Sequence, residues 1–340
     1  MTPLDTRLAG AVAPPVRSLA ELRRRFRRTG VSGQILTLAL VVLVFTVGTS
    51  GRFLSVLNLQ TILSDFGIPA IIAIGLHQAI ILGAIDLSVE GIAGVCIVLV
   101  GLGVRNQYNP GDIGLWIIPV VILAGALGGF ANSLVITRLR IPSFISTLGM
   151  SWTLYGIAVY VNKATTIPLL DQRIHDFVVG RVGGVPNIAL LAVAVAAVMQ
   201  VVEDHTRFGR YIYAIGGDEQ LASQAGVRVD RIKMQVFTLA GAFYGLTALF
   251  IACQLGSAHP RMGSNQLFPA VTAVSVGGVA LTGGVGGAKN ALLGALIVSA
   301  LNNGLVLMHV NPFIQQAVNG VVLITAVAVT MDRSKLGFIK

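Results

Sequence analysis

The chain has 340 residues, of which 54% are hydrophobic and only 11% are charged, whereas soluble domains carry about 25% charged residues. That balance, with uncharged apolar runs at 35–47, 117–135, 188–202 and 321–329, excludes an ordinary soluble fold. The net charge of +10 then has to be read by where it falls along a membrane chain, as an orientation signal before a nucleic-acid one.

Residues 1–33 form a basic arm that ends in Arg23-Arg24-Arg25-Phe26-Arg27-Arg28. The first apolar run starts a few residues later, so this cluster reads as a contact with anionic lipid at the inner membrane surface, not as a nucleic-acid arm. No small-residue cleavage site follows it, which argues against a removable signal peptide.

Beyond the arm, about ten spans are expected, near 35–50, 66–83, 88–104, 114–136, 143–162, 187–203, 235–256, 268–285, 288–308 and 313–331. A crossing helix needs about 20 mostly apolar residues at 1.5 Å each. The runs lack the strict alternation of barrel strands, and the predicted fold class is an all-α integral membrane protein. Residues 34–331 form its membrane domain and 332–340 a short basic tail. With both termini in the cytoplasm, 18 of the 24 Lys and Arg fall in inner segments, as the positive-inside rule requires. The outer segments hold the other six: Arg52, Arg105, Lys163, Arg173, Arg181 and Arg261.

Glycine is abundant, at 40 residues. In a bundle, small residues let backbones approach where lipid gives helices no hydrophobic reason to associate. Gly125-x-x-x-Gly129 and Gly241-x-x-x-Gly245 are such faces, expected to pack within the subunit. Cys96 and Cys253, the two cysteines, fall inside spans and read as apolar fillers. The longest inner connection, about 204–234, carries a turn at Gly216-Gly217, a helix cap at Asp218, and a short helix to Gln224 ended by Gly226. It reads either as a solvated surface helix or as a docking element for a cytoplasmic partner. No Gly-x-x-x-x-Gly-Lys-Ser/Thr phosphate loop occurs, so any ATP-driven step needs an ATPase on another chain.

Five ordered blocks over about 270 residues carry a family likeness. They are Gly83-Ala84-Ile85-Asp86-Leu87-Ser88-Val89-Glu90; Ile141-Pro142-Ser143-Phe144-Ile145-Ser146-Thr147-Leu148-Gly149; Thr206-Arg207-Phe208-Gly209-Arg210 with Tyr213 to Gly217 and Ala225-Gly226-Val227; Gly277 to Gly284; and Leu301-Asn302-Asn303-Gly304-Leu305. Together they resemble the permease subunits of the ribose-type ABC importers, whose members also serve xylose, arabinose, galactose, inositol and autoinducer-2. The resemblance implies a ten-helix permease of the bacterial cytoplasmic membrane, paired with a second identical or paralogous permease. It also implies a cytoplasmic ATPase that holds the ATP and Mg, leaving no cofactor in this chain, and a periplasmic solute-binding protein. In that family the loop after the sixth span docks on the ATPase, which assigns Gly217, Asp218, Glu219, Gln220, Ala222, Ser223 and Gly226 to coupling. The chain departs from the family pattern at His77, Ala84, Glu90 and Pro269.

Ionisable residues inside spans are costly and face cavities or partners. His77, Gln78, Asp86, Ser88 and Glu90 are therefore candidates to line a solute pathway, with His77 and Gln78 expected in the middle of a span. Phe144, Thr147, Asn302 and Asn303 are candidates beside them. Each also has a packing role open to it. Asp86 or Ser88 can cap the third span, Glu90 suits a first helical turn, and His77 can bond a neighbouring helix. Phe144 and Thr147 can pack between helices, and the two asparagines can hold helices together. The stretch 277–287 reads as an unwound segment or as a tight turn. The expected function is the permease subunit of an importer of a monosaccharide or sugar-like solute. The alternatives are an ion-coupled secondary transporter and an integral membrane transferase. The first lacks well-separated coupling charges and the second lacks a catalytic cluster at one membrane face.

Overall fold

The computed structural model describes residues 32–108 and 111–330; nearly all of the basic arm and the tail lie outside them. Thirteen α-helices follow one another among the described residues. They are α1 (Ser32–Gly48), α2 (Val56–Ile81), α3 (Val89–Gly103), α4 (Ile117–Arg138), α5 (Ser143–Asn162), α6 (Gln172–Val179), α7 (Asn187–His205), α8 (Arg207–Gly217), α9 (Glu219–Gln224), α10 (Val229–Gln254), α11 (Leu267–Val276), α12 (Ala288–Leu307) and α13 (Pro312–Thr330). Six of them, α2, α4, α5, α7, α10 and α12, are long and apolar enough to cross a membrane, and α1, α3 and α13 are shorter apolar helices. The chain is an all-α membrane protein. Two antiparallel two-residue ladders, Ile167–Pro168 with Ser257–Ala258 and Arg181–Val182 with Val185–Pro186, tie the connections together.

α2 and α10 form the centre, and α4 and α5 lie outside with most of their surface uncovered. The tightest seam joins α4 to α10 and uses both glycine motifs against each other. A Cβ on Gly125 would fall 2.2 Å from the Gly241 carbonyl oxygen, and one on Gly245 would fall 2.1 Å from that of Val121. Only hydrogen fits there, so backbones meet directly. Both motifs serve packing inside the subunit, as expected.

Two expected spans take a different form. The second starts at Val56, ten residues before its expected bound, because Ser55 caps the helix by accepting from Asn58 N–H at 3.4 Å. Its polar first turns masked this start in a hydropathy reading. His77 and Gln78 therefore sit near the helix end, one turn before Ile81, and not at mid-span. The eighth span is helical only over the ten residues of α11, about 15 Å at 1.5 Å each, half of the roughly 30 Å hydrocarbon layer. The segment before it is not α-helical and holds only a four-residue 3-10 turn, Pro260–Gly263. A Cβ on Gly101 would meet the Ala258 Cβ at 2.6 Å, one on Gly94 the Pro260 carbonyl at 3.2 Å, and one on Gly263 the Glu90 carbonyl at 3.1 Å. Residues 258–263 thus run antiparallel beside α3 from Gly101 to Glu90, roughly 16 Å along its axis. The glycine-rich stretch 277–287 is irregular and turns between α11 and α12. Its Gly284 N–H donates to the Ile81 carbonyl at 2.8 Å.

The connection between α7 and α10 is two helices, not one. Gly216 and Gly217 close α8 instead of making a turn, and α9 covers Glu219–Gln224 as expected. Gly216 sits against the end of α2, where a Cβ would fall 1.7 Å from the Ile81 carbonyl oxygen.

Candidate functional site: a helix break, a buried acid and a charged cavity

Between α2 and α3 the backbone leaves the helix over residues 82–88, and its exposed amides must find partners. Side chains one turn apart on α5 provide them. Ser143 Oγ accepts from Ile85 N–H at 3.1 Å, Thr147 Oγ1 from Leu87 N–H at 3.0 Å, and Ser151 Oγ from Gly91 N–H at 3.1 Å. Asp86 closes the same turn. Its Oδ1 accepts from Ser88 N–H at 2.9 Å and Ser88 Oγ at 2.6 Å, and its Oδ2 from the Tyr244 hydroxyl of α10 at 3.0 Å. Asp86, Ser88, Thr147 and Tyr244 are all buried. The first two sequence blocks of the family likeness are thus two halves of one device that stabilises the break between α2 and α3.

At the end of α2, the fully buried His77 meets Glu203 of α7, which the sequence reading did not single out. His77 Nε2 lies 2.5 Å from Glu203 Oε1. The other carboxylate oxygen accepts from Ala288 N–H, the first amide of α12, at 3.0 Å; a carboxylate at a helix N-terminus also suits the helix dipole. The Tyr213 hydroxyl of α8 reaches the same oxygen at 3.4 Å and donates to the Gly286 carbonyl at 2.9 Å. Beside it, Gln200 Oε1 accepts from Lys289 N–H at 3.1 Å. One buried acid therefore joins α2, α7, α8 and the start of α12. Its neighbour Gln78 is buried too, and its side-chain oxygen has no hydrogen-bond partner among the described residues.

Glu90, on the first turn of α3, opens into a cavity of about 370 Å³ with Ser151, Trp152 and Tyr155 of α5 and with Arg261 and Ser264, which lie on and just after the 3-10 turn Pro260–Gly263. Trp152 and Tyr155 stand edge to face, with ring centroids 6.2 Å apart. Neither the Glu90 carboxylate nor the Arg261 guanidinium has a hydrogen-bond or ion-pair partner among the described residues. Arg261, read from sequence as an outer charge, is exposed on the 3-10 turn Pro260–Gly263, which brings it beside the first turn of α3.

The other candidates lie apart from this cavity. Phe144 is exposed on α5. Asn302 accepts from Asn319 Nδ2 of α13 at 2.9 Å, while the buried Asn303 has an unpartnered side-chain oxygen among the described residues. On α9, Asp218 accepts from Leu221 N–H at 2.9 Å as the cap. Glu219 takes two bonds from Lys233 Nζ, at 2.7 and 2.8 Å. Ala222 is buried, Gly217, Gln220 and Ser223 are exposed, and Gly226 takes a φ of 83° that ends the helix. A groove of about 900 Å³ runs between α9, the end of α4 and the start of α10, and includes Arg138, Glu219, Gln220, Ser223, Arg228 and Arg231.

The family model described as "Branched-chain amino acid transport system / permease component" matches residues 58–327. Among curated proteins, the chain is 33% identical over 317 residues to the ribose import permease protein RbsC of Escherichia coli K12, covering 90% of this chain and 96% of that one. It is 33% identical over 296 residues to the probable ABC transporter permease protein YphD of the same organism, covering 87% of each. It is 32% identical over 305 residues to the galactose/methyl galactoside import permease protein MglC of Haemophilus influenzae, covering 85% of this chain and 91% of that one. No solved structure matches the chain. A match that takes in every helix from α2 to most of α13, joined to near full-length identity with ABC permeases, settles the family: the chain belongs to the permease components of ABC transport systems.

Proposed function

We propose that this chain is the membrane-spanning permease subunit of an ATP-driven, binding-protein-dependent importer of a monosaccharide or similarly hydroxyl-rich solute in a bacterial cytoplasmic membrane. The observation that carries the reading is 33% identity to a ribose import permease over 90% of the chain. The family description speaks of branched-chain amino acids, which makes an amino-acid solute the second reading. The near full-length likeness to ribose and galactose import permeases favours the sugar.

In this reading ten segments cross the membrane with both termini inside, α8 and α9 face the cytoplasm, and the charge distribution supports that orientation. α9 is the coupling element on which the ATPase docks, next to the groove by Arg138 and Arg228. It is tied to the membrane part through α8, whose Tyr213 touches Glu203 and whose Gly216 abuts α2. ATP and Mg stay on the ATPase. The second permease subunit covers the open side of α5. A charged residue near the bilayer centre costs about 2.5–3.5 kcal/mol on insertion scales, so a cavity with Glu90 and Arg261 needs protein or water, not lipid, across its mouth. Within the subunit, Glu90 belongs to the solute pathway, with His77, Gln78, Asp86, Ser88, Phe144, Thr147, Asn302 and Asn303 as the frame around it.

The test is reconstitution in proteoliposomes with the ATPase and binding protein of the same system, supplied with labelled ribose, galactose or leucine. Sugar uptake that needs ATP and the binding protein is expected. ATP-driven uptake of leucine alone would replace the solute class, and uptake by this chain alone on an ion gradient would overturn the importer reading.

A further inference from the structure

The cavity beside Glu90 has three properties that the fold by itself does not require. It holds one acid and one base that the described residues leave unpaired. It is walled by two aromatic rings. One of its walls is the 3-10 turn Pro260–Gly263, which runs beside α3 in place of a continuous α-helix. Irregular backbone at this depth persists where it is buried in protein or lines a water-filled cavity, and unpaired ionisable side chains there mark a functional path.

We propose that this cavity is an intramembrane contact site for one sugar ring in transit, with Glu90 and Arg261 as its polar pair and Trp152 and Tyr155 as its platform. The proposal rests on the sugar-importer reading and names the residues that serve it. A carboxylate only accepts and a guanidinium only donates. A sugar hydroxyl does both, so vicinal hydroxyls satisfy Glu90 and Arg261 together where an apolar side chain satisfies neither. The C–H face of the ring is apolar and suits the electron-rich faces of Trp152 and Tyr155. Ser151 already accepts from Gly91 N–H at 3.1 Å, which leaves its own O–H to donate into the cavity, where Ser264 adds a second hydroxyl. At about 370 Å³ the space lies near the lower end of ligand cavities, about 300–1,000 Å³, and suits one ring, not a disaccharide. Two charges and two hydroxyls with no enclosing cage give several weak bonds, which is what passage demands.

The test uses the full complex in proteoliposomes with labelled D-ribose and D-galactose, and uptake is scored per assembled complex. Arg261→Gln and Glu90→Gln are each expected to lower uptake about tenfold, the effect of losing one charged hydrogen bond. Trp152→Ala is expected to change the ratio of ribose to galactose uptake. Wild-type rates and ratio in all three overturn the site while leaving the importer reading intact; no sugar uptake by the wild type overturns both. A second measurement covers variants that assemble poorly. In Ser151→Cys, with the native Cys96 and Cys253 buried, a water-soluble maleimide is expected to label the new thiol, and ribose or galactose to protect it. Absence of labelling, or labelling that neither sugar slows, rejects the proposal.

Discussion

Glu203 shows how a single side chain organises one end of this molecule. Its two oxygens are shared between His77, the first amide of α12 and Tyr213, so removing it strands a buried imidazole and a buried amide at once. Breaking a buried pair from one side costs about 3–5 kcal/mol. Glu203→Ala is accordingly expected to lower the thermal unfolding midpoint in detergent sharply. His77→Thr/Glu203→Ala should recover part of that loss, because the stranded partner is gone too; a double variant no better than additive would deny the coupling. His77 and Asp86 were both legible in sequence as costly residues inside spans. Their partners were not, since Glu203 reads as the polar end of the expected span 187–203 and Tyr244 as one more aromatic on a helix. The surroundings of Arg261 were hidden for the same kind of reason: its neighbours in sequence belong to a connection, and its neighbours across the cavity belong to α3 and α5.

At the level of elements, α9 was anticipated residue for residue from the cap at Asp218 and the stop at Gly226, because both signals are local. α8 was missed; its amphipathic run from Arg207 is interrupted by Gly209, Gly216 and Gly217. Two of these glycines answer to contacts made elsewhere in the chain, with Gly209 against Glu203 and Gly216 against Ile81. The docking role proposed for α9 separates from its stability by choice of substitution. Asp218→Lys/Glu219→Lys is expected to abolish the stimulation of the ATPase by loaded binding protein while the subunit still inserts and pairs. Asp218→Asn keeps the cap, worth about 1 kcal/mol, and should behave as wild type. Stimulation that survives the double lysine variant would assign α9 to the solvated surface.

For the whole molecule, the seam between α4 and α10 is the main support. Four glycines bring the two backbones to contact, and any side chain there meets main chain, which cannot move aside. Overpacking costs about 1–3 kcal/mol where side chains can yield, and more where they cannot. Gly241→Leu is expected to prevent recovery of a monodisperse subunit from detergent extracts, measured by size exclusion. Recovery at the wild-type level would show that the seam can open.

Apolar runs, glycine spacing, charge bias and the absence of a phosphate loop are properties of neighbouring residues in the chain. Lipid acts on each segment separately, through its length and its charge, so the class of fold and most of the long apolar helices were readable in order. The course of the helix breaks and the partners of the buried polar groups were not. They depend on pairs far apart in sequence, such as Asp86 with Tyr244 and His77 with Glu203, and on a segment after α10 that folds back along α3. A buried polar group must find its partner wherever the packed helices put one, and the order of residues along a single helix does not contain that position.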